Sequence, residues 1–165
     1  MGFTCQICGR RHDERQRDIR MTWPEPVFRL SDAERGELTD FGDDSGWFQD
    51  GERTHYYARG VIHLPLSDDG GDGFRFGVWV EVAEEDWFRL LAHWNDPAGA
   101  AEGAFAGSLA NELGSYTGTE GLRVTLRLNE DLGLLPIVDV ERSHALGRDQ
   151  ASGISDARAH ELAGY

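Results

Sequence analysis

The sequence contains no lysine, so its 16 basic residues are all arginines, and 30 acidic residues outnumber them. The formal net charge is −14. Proteins bind nucleic acids largely by neutralising phosphates with basic side chains, and a field of this sign repels the phosphate backbone. The composition therefore disfavours DNA and RNA as partners. It favours either plain solubility or contact with a basic protein partner.

Long apolar runs are also missing. No stretch approaches the roughly 20 apolar residues of a membrane span. Met1 is followed by a polar, cysteine-containing segment in place of the apolar core of a signal peptide. We therefore expect no membrane partner and a cytoplasmic location. In that reducing compartment, the only two cysteines, Cys5 and Cys8, should stay as thiols or bind a metal instead of forming a structural disulfide.

The remaining composition is that of one folded domain. With 165 residues, 10% aromatic side chains and 21 glycines, the chain can build a core and is rich in turns. Alternating and helical hydrophobic periods follow one another along it. The predicted strands are 46–50, 55–64, 74–82, 121–130 and 134–141, and the predicted helices are 32–38, 84–95 and one that begins after Ser155.

Local patterns refine these boundaries. Ser31 and Glu34 have the spacing of a capping box at the start of the first helix. Pro24 and Pro26 are expected to hold "WPEPVF" extended. The small residues of 96–107 predict a loop.

The order of the elements predicts an α+β domain. Strands and helices joined by short links favour a mainly antiparallel sheet with the helices packed on one side. We divide the single domain, residues 1–165, into an N-terminal zinc-knuckle-like metal segment at 1–20 and an α+β body at 21–165.

The segment "FTCQICGRRH" predicts a metal site. Cys5 and Cys8 are separated by two residues, a spacing that allows two thiolates to bind one tetrahedral Zn²⁺ at about 2.3 Å each. Gly9 permits the chain to bend back after the second cysteine, and His12 can then supply an imidazole. These side chains make three ligands, and a structural zinc site needs four.

The fourth ligand must come from elsewhere in the chain or from water. His144 is our first choice, because it follows the last predicted strand and could clamp the N-terminal segment onto the body. Asp18, His55 and His63 are weaker candidates. His55 and His63 lie eight positions apart on one strand, roughly 26 Å, so they cannot both belong to one site.

Other interpretations of the cysteine pair stay open. A redox-active pair is disfavoured, because a thioredoxin-type pair follows a strand that this sequence does not predict. Catalytic zinc and two unligated thiols are the remaining alternatives. Structural zinc is the interpretation that we favour.

Several polar and aromatic residues could line a ligand site. The aromatic residues of "HYYARG" and the tryptophans have strand and helix periods that fit a core. Asn111, Glu112 and Tyr116 are polar side chains between predicted elements. They could face a ligand, although capping and turn formation also explain them.

Five segments, taken in order and spacing, carry a resemblance that runs nearly end to end. They are "FTCQICGRRH", "YYARGVIHLPL", "FGVWVEVAEEDW", "SLANELGSYTGTEGLRVTLRL" and "SHALGRDQASGI". The chain resembles the uncharacterised bacterial family known as domain of unknown function 2199. The resemblance implies no activity, because none is established for the family. It implies a shared metal site, because Cys5, Cys8, His12 and His144 fall at positions of the family motifs.

These observations lead to one functional hypothesis and two alternatives. The first is a zinc-binding, non-enzymatic domain that acts through protein contacts, in the manner of an immunity or inhibitor protein. The second is a zinc enzyme in which Cys5, Cys8 and His12 leave a water on the metal, with His55 or Glu81 as acid or base. The third is a metal-free ligand-binding module.

Overall fold

The computed structural model describes residues 3–4, 6–12, 17–67, 72–96, 98–131 and 134–164. Strands occur in these ranges at β1 Phe3–Thr4, β2 Arg11–His12, β3 Asp18–Arg20, β4 Thr39–Phe41, β5 Ser45–Asp50, β6 Arg53–Leu64, β7 Phe74–Val82, β8 Ala104–Leu109, β9 Arg123–Arg127 and β10 Ile137–Val140. Helices occur at α1 Glu25–Phe28, α2 Asp32–Leu38, α3 Glu84–His93, α4 Ala145–Ser152 and α5 Asp156–Leu162, with a 3-10 turn at Gly99–Glu102.

Strands β6 to β10 form a closed barrel. Each consecutive pair is antiparallel, and β10 then returns beside β6. When five consecutive strands alternate in direction, the first and the fifth run the same way. The closing pair of β10 with β6 is therefore parallel. Strands β5 and β4 extend the sheet from the free part of β6, and β3 pairs in parallel with β7. The predicted α+β class with mainly antiparallel pairing is confirmed, and the sheet closes on itself.

Alternation along β6 and β7 determines which side chains enter the barrel. Successive residues of a strand point to opposite faces, so the register of the two strands places every second pair inside. The inward side chains are apolar and buried. They are Ala58, Ile62, Leu64, Phe74, Phe76, Val78, Val80 and Val82.

Two apolar clusters hold the helices. Leu90 of α3, Leu146 of α4 and Leu162 of α5 join the cluster inside and around the barrel. Val27 of α1 joins a second cluster, with Trp79, on the outer face of β6 and β7. The prediction that the helices pack on one side is therefore wrong, because two apolar surfaces need cover. In the described part of the chain, no helix has the length and apolarity needed to cross a bilayer.

Several elements differ from the sequence expectations. Helix α1 forms within "WPEPVF", with Pro24 as N-cap and Pro26 in the first turn, where a missing N–H is tolerated. The segment is therefore helical where we expected it to be extended. The predicted loop at 96–107 contains the start of β8. Its Gly107 is needed because a Cβ there would lie 2.5 Å from Val80 Cγ1.

The first helix of the prediction is confirmed in detail. Helix α2 has the predicted bounds, and Ser31 Oγ accepts a hydrogen bond from Glu34 N at 3.2 Å. Ser31 N donates to Glu34 Oε2 at 2.8 Å, which completes the capping box. The hydrogen bond from Ser31 N to the carboxylate, and then the interaction of the Ser31 hydroxyl with that carboxylate, lower the pKa of Glu34.

Candidate functional site: a cationic cleft

A cleft of about 800 Å³ crosses the outer face of the barrel. It runs over four strands in the order β3, β7, β6 and β10, and it ends at the loop before β10. Its lining combines arginines and a histidine with two aspartates and a set of aliphatic side chains. The lining residues are Asp18, Ile19, Arg20, Asp44, Arg59, Val61, His63, Arg75, Gly77, Asn129, Leu134, Leu135 and Ile137.

Arg59 is the most deeply placed cation of the cleft. It lies on β6 directly opposite Trp79 of β7, and its side chain is 3% exposed. Its Cζ atom lies 4.3 Å from the centroid of the Trp79 ring, a cation–π contact. Nε donates to Asp43 O at 3.0 Å, and Nη1 donates to Met21 O at 2.9 Å. Two chain segments distant in sequence therefore bury this side chain.

The guanidinium of Arg59 has unused hydrogen-bonding capacity. Within the described chain, its Nη2 makes no hydrogen bond. The carboxylate of Asp44 lies 3.9 Å from Nε, beyond hydrogen-bond distance. Nη2 is not among the buried polar atoms that have no partner, so it is open to the cleft, where a ligand can accept a hydrogen bond from it. Burial, and then the neighbouring Arg20 cation, lower the pKa of Arg59 to about 10, so it stays charged at neutral pH.

Arg20 lies beside Arg59 at the same carbonyl oxygen. Its Nη2 donates to Asp43 O at 3.4 Å, and Arg59 Nε donates to that oxygen at 3.0 Å. Two guanidinium groups are therefore held close together, and their charges oppose each other. Repulsion of this kind is relieved when an anion binds between the two cations.

The other cation of the cleft is already neutralised. Arg75 donates from Nε to Asp18 Oδ1 at 2.6 Å and from Nη2 to Asp18 Oδ2 at 3.1 Å. The hydrogen bond to Asp18 raises the pKa of Arg75. His63 lies opposite Arg75 and donates from Nε2 to Asp72 O at 2.9 Å, since a carbonyl oxygen can only accept. The available cationic groups are therefore those of Arg20 and Arg59.

The opposite side of the cleft is apolar. Ile137 of β10 pairs directly with Val61 of β6, and Leu134 and Leu135 precede β10. Leu134 is 53% exposed, so its aliphatic surface is open to a ligand in the cleft. The cleft thus has a charged side at β3 and an aliphatic side at β10.

The base of the cleft is held by a buried asparagine. Along one edge of β7, β3 pairs with residues 75–77 and β8 pairs with residues 80–82. Trp79 lies between these two pairings, and its N donates to Asn111 Oδ1 at 2.7 Å. Asn111 Nδ2 donates to Trp23 O at 2.8 Å. The Asn111 side chain is fully buried and takes the place of a strand at this point. Both bonds reach segments that are distant in sequence, so Asn111 has a structural role, but not the capping or turn role that the sequence suggested.

The two other polar residues between elements also make intramolecular bonds. The carboxylate of Glu112 accepts hydrogen bonds from Glu120 N and Gly118 N, each at 3.0 Å. These bonds, led by that of Glu120, lower the pKa of Glu112. Tyr116 donates from its hydroxyl to Asp149 Oδ2 at 2.6 Å. Burial, followed by this bond, raises the pKa of Tyr116.

The predicted metal ligands are described only in part. Cys5 and the side chain of His12 lie outside what the structure describes. Cys8 is exposed in the turn of the β1–β2 hairpin, and Gly9 follows it with a φ of +71°. Among the described residues, no three His, Cys, Asp or Glu side chains form a group that could hold a metal ion. A zinc knuckle is therefore not shown, and the complete ligand set stays a prediction.

The predicted fourth ligand has another role in the fold. His144 is the N-cap of α4, and its Nδ1 accepts a hydrogen bond from Leu146 N at 3.1 Å. Since Nδ1 accepts, Nε2 carries the proton and donates to Thr117 O at 2.8 Å. Both ring nitrogens are engaged by backbone atoms, so zinc binding by His144 requires the loss of a cap.

The candidate acid and base of the zinc-enzyme alternative lie together. His55 Nδ1 and Glu81 Oε1 are 2.5 Å apart on the outer face, and the His55 ring stacks on Phe48 at 5.9 Å. The two other weaker ligand candidates, Asp18 and His63, do not form a metal-binding group with His55 among the described residues. Both line the cleft, where Asp18 is paired with Arg75.

The sequence interpretation missed the three cleft arginines. It singled out none of Arg20, Arg59 and Arg75 as a candidate binding residue. A signal was present at Arg59, because both of its neighbours in "YYARGVI" are small and the other residues of this segment are aromatic or aliphatic. An arginine in a strand buried on both faces needs an acceptor, and that need points to a site.

A closed five-stranded barrel that carries a cationic cleft on its outer face, within an acidic chain, defines a small α+β barrel domain. The chain belongs to the family described as an uncharacterized protein conserved in bacteria (DUF2199), whose model matches residues 4–154. Neither a curated protein nor a solved structure matches the chain.

Proposed function

We propose that this protein is a binding module whose cleft holds a small anionic ligand at Arg59 and Arg20. The observation that carries the proposal is the 3% exposed Arg59 side chain, whose Nη2 makes no hydrogen bond within the described chain. An anion that accepts from Nη2 satisfies this donor and separates the charges of the two arginines. This develops the ligand-binding alternative of the sequence analysis.

The dimensions of the cleft support this proposal. Small-molecule sites commonly measure about 300–1,000 Å³ and combine apolar lining with a few fixed polar groups. The cleft, at about 800 Å³, has this size and this lining. Arg59 is held by two carbonyl oxygens and the Trp79 ring, so it is positioned before any ligand arrives. Such preorganisation reduces the ordering entropy lost on binding.

The test is a titration of ¹⁵N-labelled protein with sodium acetate, followed by NMR through arginine Nε–H and backbone amide signals. Sodium chloride at equal ionic strength is the reference. We expect saturable shifts at Arg59, Arg20 and the amides of Val61 and Gly77. Shifts that are absent, or that chloride reproduces in full, overturn the proposal.

A matched pair of variants assigns the shifts to the cleft. Arg20→Gln removes an exposed cation that lies on the cleft, and we expect it to weaken acetate binding about tenfold. Arg123→Gln removes an exposed strand arginine outside the cleft, so its titration should match that of the unaltered protein. Equal weakening in both variants would mean that the acetate responds only to net charge.

A second proposal follows from the N-terminal hairpin. The antiparallel pairing of β1 with β2 and the positive φ of Gly9 bring the chain back after Cys8, as a metal-binding turn requires. We propose that Cys5, Cys8 and His12 bind Zn²⁺ here, with His144 as the predicted fourth ligand, and that the site is structural. Protein purified without chelator should contain one zinc, and Cys5→Ser should not. Equal zinc content in the two proteins contradicts this proposal.

The coordination number separates the two zinc hypotheses. X-ray absorption should show four protein ligands for a structural site, and three plus a water for an enzyme. For the non-enzymatic domain, the net charge of −14 supports protein contacts with a basic partner, immunity- or inhibitor-like. Such a contact should weaken at high salt.

A further inference from the structure

We infer that the ligand of the cleft is an amphipathic monocarboxylate, with its carboxylate at Arg59 and Arg20 and its aliphatic arm along the β10 side. This inference rests on the proposed anion-binding function and specifies the chemical class of the ligand.

The strand order places the two kinds of side chain at opposite ends of the cleft. Arg20 comes from β3 and Arg59 from β6, while Leu134 and Ile137 belong to β10 and the loop before it. Val61 lies between them, paired with Ile137 across the barrel closure. A ligand whose head is held by the arginines therefore extends over aliphatic carbon.

The charge of the lining indicates a monoanion. Arg20, Arg59 and Arg75 line the cleft together with Asp18 and Asp44, which leaves no more than one excess positive charge. Arg75 is already bound to Asp18 through two hydrogen bonds. A dianion such as a phosphate monoester would bring a second negative charge that has no counter-charge in the cleft. That charge would be repelled by the carboxylates of Asp18 and Asp44.

The exposure of Leu134 indicates how the aliphatic arm of the ligand contributes to affinity. The side chain is 53% exposed at the aliphatic end of the cleft. Each methylene that leaves water tightens binding roughly fourfold, at about 0.8 kcal/mol per methylene. An aliphatic arm that covers Leu134 and Ile137 therefore adds affinity that acetate lacks.

The test compares four probes by the same NMR titration: sodium acetate, sodium hexanoate, 1-hexanol and inorganic phosphate. We expect hexanoate to bind at least about tenfold tighter than acetate, because at least two of its four additional methylenes are covered. We expect hexanol and phosphate to bind more weakly than hexanoate. Shifts from hexanoate should include Val61 and Ile137, which lie on the aliphatic side.

A matched pair of leucine variants tests the arm. Leu134→Ser should weaken hexanoate binding about three- to tenfold and leave acetate binding unchanged. Leu91→Ser alters another exposed leucine, 38% accessible on α3 and outside the cleft, and should change neither. Both sites are exposed, so both variants should fold.

The outcomes separate this inference from the function on which it rests. If acetate binds in the cleft and hexanoate binds no tighter, the anion site stands and the amphipathic ligand is overturned. If phosphate binds tighter than both carboxylates, the monoanion is overturned. If hexanol binds as well as hexanoate, or no probe binds, the anion site itself is overturned.

Discussion

Strands β6 and β7 present two unlike faces. The face inside the barrel is uniformly apolar, and its eight side chains are all at least nine-tenths buried. The outer face changes character along its length. Near Tyr57 and Trp79 it is covered by the second apolar cluster, and beyond Arg59 it opens into the cationic cleft. Adjacent residues of the same strands therefore form the core on one side and line the proposed binding cleft on the other.

This difference teaches where function can be sought in a small barrel. Five strands enclose only enough space for packed side chains, so the interior cannot take a ligand. The outer face is covered only in part by the segment that contains α1, α2 and β4. A binding site is therefore expected where this cover ends, and Arg59 lies at that boundary.

The largest expected effect is at Asn111, the buried side chain that connects Trp79 of β7 to Trp23. Asn111→Ala removes the acceptor of Trp79 N and the donor to Trp23 O, and it leaves both backbone groups buried without partners. We expect a loss of about 3 kcal/mol or more in the free energy of unfolding, measured with urea. Asn95→Ala, at an exposed position, is the control. A loss below about 1 kcal/mol at Asn111 would show that β7 needs no bridging side chain.

A pair of identical substitutions compares the faces directly. Val78 is fully buried inside the barrel, and Val61 is partly exposed at the cleft. Val78→Ala should destabilise the protein by about 2 kcal/mol, because it leaves a cavity in a closed core. Val61→Ala should cost less than about 1 kcal/mol. Urea unfolding measures both, and equal losses would contradict the assignment of Val61 to an open face.

Two glycines on neighbouring strands sharpen the comparison. A Cβ at Gly60 would lie 2.5 Å from Val138 Cγ2 inside the barrel. A Cβ at Gly77 would lie 3.6 Å from Arg20, an ordinary contact at the base of the cleft. Gly60→Ala should therefore destabilise by about 1.5 kcal/mol through overpacking.

The outer glycine should behave differently. Gly77→Ala should change stability by less than about 0.5 kcal/mol. It should also weaken acetate binding, because its methyl group occupies space beside Arg20. A Gly77 variant as unstable as the Gly60 variant would contradict the open geometry of the cleft.

The smallest expected effect lies on the covered half of the outer face. The hydroxyl of Tyr57 is buried and has no hydrogen-bond partner in the described part of the chain. Tyr57→Phe should therefore leave thermal stability unchanged or raise it slightly, since no bond is lost. Tyr56→Phe is the control, because that hydroxyl donates to Glu84 Oε1 at 3.0 Å. A marked loss at Tyr57 would reveal an acceptor for its hydroxyl.

The sequence predicted the elements whose own residues determine them. Alternation identified β6 and β7, and the Ser31–Glu34 spacing identified α2 because both partners of the capping box are local. Closure of the barrel could not be predicted, because β8 contains small residues that read as a loop. Gly107 among them is small because a Cβ there would meet Val80, a contact that only the fold creates.

The cleft was harder to predict than the fold. Arg59 is buried by the carbonyl groups of Met21 and Asp43, which lie 38 and 16 positions away in the sequence. The apolar segment around Arg59 indicates that this arginine needs an acceptor, but it does not indicate which distant residues supply it. The metal prediction could be made because the spacing of Cys5 and Cys8 is local. The choice of His144 as fourth ligand could not take account of the helix cap that this residue forms, because that cap is visible only in the fold.

The barrel closure has a consequence for how the molecule opens. In the described chain, β6 and β7 pair over nine register positions, whereas β6 and β10 meet at one, Val61 with Ile137. Val61 N donates to Pro136 O at 2.9 Å beside that pair. Local unfolding starts where few bonds must break, so hydrogen exchange should be fastest along this seam. A molecule bound from Arg59 to Ile137 spans the same seam, so occupancy and closure reinforce each other.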